Sequence, residues 1–247
     1  MLPVIISFGN LGYLDFVVNL LKNAHDVLRN HRMIMYCTDQ ETYDAVKVYD
    51  NGQITIRRYD VQLTTAYTEW GTKGAYVAIM RAKTAIIRQA LEEHEYIHFV
   101  DADVVFCKEP TEDYYAAYQS YDIVYQLDNP PPNPKFSDWT CMGNMVLRNT
   151  AATRQFMASL AIYEAKYPTV ADQDCQQMMF REMGVKDIRK YPGVKLTEFP
   201  MEEFTCGYLI KMDMVHPKTV MVFHANHVVG KQPKIDLLKK IGKWYLE

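Results

Sequence analysis

Short apolar runs alternate with segments of helical periodicity along the first hundred residues of the chain. PVIISF (3–8) is a continuous apolar run that stops at Gly9-Asn10, which predicts a buried strand entering a loop. From Tyr13 to Leu28 apolar residues recur at helical spacing, with Leu14, Val17, Val18 and Leu21 in phase. RMIMYCTD (32–39) is a second strand closing on an acid, Glu41 to Val48 a short helix, and ITIRRYD (54–60) a third strand. A long helix is predicted over 74–93, with Ala75, Ile79, Ala82, Ile86, Ile87 and Ala90 on one face. YIHFVDADVVF (96–106) is then predicted as one strand.

The second half is less regular. DIVYQLD (122–128) and CMGNMVLRN (141–149) read as strands, separated by NPPPNPKFSDW (129–139), too proline-rich for a helix or a central strand. Residues 151–167 and 172–183 read as helices. The tail carries a strand, VMVFHAN (220–226), a loop, and a last helix ending near Trp244. Strands alternating with helices predict an α/β fold with a mainly parallel central sheet flanked by helices. Ligands bind such sheets at the carboxyl ends of the strands. Asn10, Asp39, Asp101 and Asp103 sit at predicted strand ends and are expected on one rim.

Composition narrows the function classes. A chain of 247 residues, 49% hydrophobic and 23% charged, suits one globular α/β domain. A net charge of −3 gives no reason to expect a nucleic-acid or membrane-surface partner. The opening MLPVIISFGN has no basic lead and too short an apolar run for a signal peptide, and no stretch approaches the ~18 apolar residues of a membrane span. The expectation is a cytoplasmic protein without a membrane span. Five widely spaced cysteines (Cys37, Cys107, Cys141, Cys175, Cys206), with no CxxC pair, read as free thiols.

The chemistry starts at Asp101-Ala102-Asp103, inside the otherwise apolar FVDADVVF. Two carboxylates at the end of a buried strand repel each other and lose hydration, so a positive partner is required. Carboxylate oxygens are hard ligands suited to Mg²⁺ or Mn²⁺, and side chains at i and i+2 share one face of a strand. Acids capping a helix or pairing with a lysine would give the same tripeptide. So would the aspartyl nucleophile of a phosphotransferase, although that motif is usual on a first strand.

FHANHVVGKQPK (223–234) is the strongest companion. His224 ends a predicted strand and is a suitable third ligand for Mn²⁺, Gly230 permits close backbone approach, and Lys231 supplies positive charge for a phosphate. His227 is open between surface and substrate contact. Of the two cations on the long helix, Arg81 and Lys83, Lys83 is favoured to reach a phosphate or an acid of the motif. Asp172-Gln173-Asp174 holds more acids than a helix cap needs. Asp128 and Asn144 are candidates for binding hydroxyls, with Gly143 beside them. Trp70, Tyr76, Tyr125 and Trp139 are core or lid aromatics, and 129–139 is a candidate acceptor wall.

SFGNLGYLDFVVNLL, VDADVVF, YQLD, GNMVLRN, ADQD and HANHVVGKQPKIDLLKKIGKW fall in an order that resembles the nucleotide-diphospho-sugar transferases of GT-A fold. That group includes the rhamnogalacturonan xylosyltransferases and, more distantly, the glycogenins and lipopolysaccharide galactosyltransferases. The resemblance implies one GT-A domain over 1–247, with a nucleotide-binding lobe (1–106) and an acceptor lobe carrying the metal and diphosphate segment (107–247). It implies a metal-dependent hexosyl- or pentosyltransferase that moves a sugar from a UDP-sugar to a glycan or glycoprotein with retained anomeric configuration. Asp101, Asp103 and His224 would hold the metal. Phe8, Gly9, Asn10 and Asp39 would hold the nucleotide, together with Asp101, Ala102 and Asp103, while Lys83, Gly230 and Lys231 would meet the diphosphate. Asp172 and Gln173 would act beside the donor sugar, with Asp128 and Asn144 in the sugar subsites. The chain departs from the family's usual Asn-x-Gly by carrying Gly143-Asn144.

Two further readings compete. A sugar-nucleotide binding module on the same fold would bind without turnover. A pyrophosphorylase-like enzyme would need a glycine-rich first loop with a basic end, which SFGNLGYLD lacks.

Overall fold

The computed structural model describes residues 1–69, 71, 74–128 and 140–247. The first half contains β1 (Val4–Gly9), α1 (Leu14–Val27), β2 (Met33–Cys37), α2 (Gln40–Val46), β3 (Ile54–Arg58), α3 (Ala75–Glu93), β4 (Tyr96–Val100) and β5 (Val104–Phe106). The second half contains α4 (Glu112–Ala116), β6 (Ile123–Leu127), β7 (Thr140–Arg148), α5 (Ala151–Lys166) and α6 (Asp172–Glu182). It closes with β8 (Leu196–Glu198), β9 (Phe204–Cys206), α7 (Gly207–Lys211), β10 (Val222–His224) and α8 (Lys231–Lys240). The predicted loop 129–139, with Trp139, and Trp70 lie outside the described residues.

Seven strands form one sheet in the order β3-β2-β1-β4-β7-β6-β8. The pairs among β1 to β4, and β6 with β8, are parallel; β7 runs antiparallel to both of its neighbours. The sheet is therefore mixed but mainly parallel. Its strands are continuous apolar runs because both faces are covered. Ile5 faces a layer with Phe16, Leu20 and Leu21 of α1, whereas Val4 and Ile6 face the layer of Ile79, Ile86 and Ile87 of α3 and Phe156 and Leu160 of α5. Helix starts follow from side-chain caps: Asp39 accepts from Thr42 N at 2.7 Å and Thr150 from Thr153 N at 3.1 Å.

One expectation is corrected. Residues 96–106 are not a single strand. β4 belongs to the large sheet, and β5 belongs to a second sheet of order β5-β10-β9. Asp101-Ala102-Asp103 is the turn between them: Asp101 N donates to Gly143 O at 2.7 Å and Val104 N to Asp101 O at 3.1 Å. The two acids thus converge through a tight turn and not through strand alternation. The break was hidden because both short strands are buried, so the apolar run reads through it. β8, β9 and α7 were also not foreseen, being three to five residues long.

Candidate functional site

The turn delivers its acids to β10 of the small sheet, where His224 pairs with Val104 across an antiparallel ladder. His224 Nε2 lies 3.2 Å from Asp103 Oδ1 and 3.9 Å from Asp101 Oδ2. One ligand atom from each of these three side chains falls within 4.8 Å of the others. Two hard carboxylates and an imidazole are a donor set suited to Mn²⁺ or Mg²⁺. The backbone beside them is shaped to the same end. A Cβ on Gly143 would collide with Asp101 Oδ2 and His224 Cε1, so only glycine permits this approach.

A buried lysine, Lys83, and a half-buried one, Lys234, balance the acids. Lys83 Nζ is 2.6 Å from Asp172 Oδ2 and 3.7 Å from Asp101 Oδ1. Lys234 Nζ is bonded to Asp103 Oδ2. Burial opposes the charge of Lys83, but Asp101 and Asp172 outweigh it and keep the lysine protonated. Burial likewise disfavours ionised Asp103, yet Lys234 and His224 prevail and hold its pKa well below the usual carboxylate range. For Asp101 burial prevails over Lys83 and raises the pKa.

These groups line a cavity of about 570 Å³ that also takes in Phe8, Gly9 and Asn10 at the end of β1, and Asp128, Gln173 and Asn226. Asn10 follows β1, caps the next turn by accepting from Tyr13 N at 3.3 Å, and donates to Thr64 O at 2.7 Å. Asp128 is a hub: it accepts from Gln173 Nε2 at 2.7 Å and from Asn226, and lies 3.1 Å from His227 Nε2. His227 adopts a left-handed backbone with φ of 57°, a strained conformation held by these bonds. Burial favours neutral His227, but the bond to Asp128 dominates and raises its pKa.

The cavity gathers Phe8, Gly9, Asn10, Lys83, Asp101, Ala102, Asp103, Asp128, Asp172, Gln173 and His224. It does not gather Asp39, Asn144, Gly230 or Lys231. Asp39 caps α2 and accepts from Leu11 N at 2.9 Å, bracing the loop after β1 from behind. Asn144 is buried in the sheet, between His98 at 2.7 Å and Gln126 at 2.8 Å. Lys231 pairs with Asp15 of α1 at 2.7 Å. Arg81 points away, to the carbonyl oxygen of Glu164 at 2.7 Å. Sequence reasoning missed Lys234, Cys141, Asn226 and the tyrosines Tyr13 and Tyr67, whose rings lie 4.9 Å apart at the cavity wall. The only signal for Lys234 was its position one turn past Lys231.

Solved glycosyltransferase structures share this fold. WbbM, a bifunctional glycosyltransferase, superposes with a TM-score of 0.57 over 97% of this chain and 49% of its own, at 12% identity. GlyE of Streptococcus pneumoniae TIGR4 gives 0.62 over 98% and 60%, at 8% identity. The galactosyltransferase LgtC, solved with donor and acceptor sugar analogs, gives 0.57 over 98% and 96%, at 10% identity. The chain thus spans about half of WbbM and three fifths of GlyE. A search of curated proteins gives no match. The architecture is the GT-A glycosyltransferase fold. Residues 29–238 match the model of the nucleotide-diphospho-sugar transferases, and the chain belongs to that family. Among the described residues no helix is long and apolar enough to cross a membrane.

Proposed function

We propose that the chain is a divalent-metal-dependent glycosyltransferase that moves a sugar from a UDP-sugar to a glycan or glycoprotein hydroxyl with retention of anomeric configuration. The observation that carries this reading is the meeting of Asp101, Asp103 and His224 in one cavity with Lys83 and Lys234. Asp101, Asp103 and His224 would hold Mn²⁺ or Mg²⁺, and the bound ion would supply Lewis-acid stabilisation of the departing diphosphate. Lys234 is the lysine of its segment that faces the acids, and it takes the diphosphate role expected of Lys231. Phe8, Gly9 and Asn10 form the nucleotide wall. Asp128 and Gln173 lie in the sugar end of the cavity.

In the transfer, the bond from the anomeric carbon to the diphosphate oxygen breaks and a bond to the acceptor oxygen forms. The acceptor proton passes to the leaving phosphate oxygen. Retention is supported by the state of Asp172. Its carboxylate is buried and engaged by Lys83 at 2.6 Å, so it orients the donor sugar and is not free to take the acceptor proton. Gln173 is fixed at both ends, accepting from Met142 N at 3.1 Å and donating to Asp128.

The test is UDP release from a panel of UDP-sugars with and without Mn²⁺. Metal-dependent turnover that falls at least a hundredfold in Asp101→Ala and Asp103→Ala supports the reading. Saturable UDP-sugar binding with no turnover for any donor would leave a binding module in its place.

A further inference from the structure

Cys141 lies behind the imidazole of His224, at the start of β7. Its Sγ is 3.4 Å from His224 Nδ1, the ring nitrogen opposite the one that faces the aspartates. The thiol is itself fixed: Gly143 N donates to Sγ at 3.3 Å, and Asn226 Nδ2 lies 4.0 Å away. The side chain is buried, with a relative exposure of 2%, and borders the cavity.

Building on the metal reading above, we infer that Cys141 is a positioning residue for the metal site, acting through His224. An imidazole ligates through one nitrogen, and the bond made by the other nitrogen sets ring orientation and tautomer. Metal ligation through Nε2 requires the proton on Nδ1, which needs an acceptor. Sγ is the acceptor in reach. When the proton lies instead on Nε2, which is 3.2 Å from Asp103 Oδ1, Nδ1 needs a donor. A thiol offers both an S–H and a lone pair and serves either tautomer without a change in ring position. Carbonyl and carboxylate partners accept only. Cys141 therefore holds the ring in one place while the proton changes nitrogen.

The chain's geometry leaves His224 little other support. β10 has three residues, and among the described residues the ring's other hydrogen-bond or ion-pair partners are Asp101 and Asp103. Cys141 sits on β7, the strand that also supplies Gly143, so one strand places both the thiol behind the ring and the gap in front of it.

The experiment is Mn²⁺ binding to the full chain without sugar nucleotide, by electron paramagnetic resonance titration, on three proteins: wild type, Cys141→Ser and Cys141→Val. Thermal unfolding of each without metal is measured alongside. Serine keeps a donor and an acceptor; valine fills the space with neither. Expected is a loss of affinity of about tenfold or more for C141V. C141S is expected within about threefold of wild type, with similar metal-free melting temperatures. Wild-type affinity in C141V overturns the inference, and so does an equal loss in both variants, which would assign the effect to shape. If C141V does not fold, Cys141→Ala is read by the same criteria. A wild type that binds no Mn²⁺ overturns the metal reading itself, and the inference with it. A wild type that binds, with C141V unchanged, removes only the role of Cys141.

Discussion

A methyl group at position 143 would fall on the Asp101 carboxylate and the His224 ring. Gly143→Ala is therefore expected to separate the donor set and weaken Mn²⁺ binding by about tenfold, the scale of disturbed metal surroundings. Titration of the variant checks this; unchanged affinity would mean that the turn yields without cost. Lys83 makes the second residue-scale case. Lys83→Met leaves buried Asp172 and half-buried Asp101 without their cation, and removing one partner of a buried pair such as Lys83–Asp172 costs about 3 kcal/mol. Urea unfolding should show that loss, and a variant as stable as wild type would contradict the pairing. The acids and His224 were legible from residue type in an apolar setting. Cys141 was not, because a lone thiol has no pattern until its neighbours are known.

Elements decide which charge does the work. Lys231 and Lys234 lie on the same helix, α8, yet Lys231 reaches Asp15 on α1 while Lys234 reaches Asp103. Both look equally suited in the sequence, since helix phase relative to the cavity is a tertiary quantity. The Lys231–Asp15 pair is more than a third exposed and of little energetic weight. Calorimetry of UDP with Mn²⁺ should show Lys234→Ala weakened about tenfold or more, by loss of one charge-assisted contact, and Lys231→Ala within about threefold. The reverse ranking would restore Lys231 to the diphosphate. Periodicity located the long elements well, because each buries one face or both. It failed at the β4–β5 break for the same reason: two strands buried in different sheets give one uninterrupted apolar run.

At the scale of the whole molecule, two buried groups oppose each other in pH dependence. Burial raises Glu164 to a pKa of about 7, although Thr84 donates to it at 2.6 Å. The unfolded carboxyl ionises near 4.5, so the folded state loses stability as pH rises from 4.5 to 7, by about 3 kcal/mol in all. Burial lowers His98 to about 4 from 6.5, so the folded state loses a similar amount as pH falls through that window. The two slopes offset each other between pH 4.5 and 6.5. Glu164→Gln keeps the acceptor for Thr84 and removes the ionisation. Its stability should exceed that of wild type by up to about 3 kcal/mol at pH 8 and match it near pH 4. Denaturant titrations across pH would check this; parallel curves for both proteins would rule it out.

The acid turn also stitches two sheets together. Asp101 directly follows β4 of the large sheet, while Asp103 directly precedes β5 and His224 ends β10 of the small one. An ion gripped from both sides would act as a rivet across that seam. The three-residue strands β5, β9 and β10 have few ladder bonds of their own, so their opening is expected to be governed by whether the rivet is in place. Amide hydrogen exchange should slow at β9 and β10 on addition of Mn²⁺ and stay unchanged at β2 and β3. In that case a cation at this seam sets how often this corner of the protein breathes.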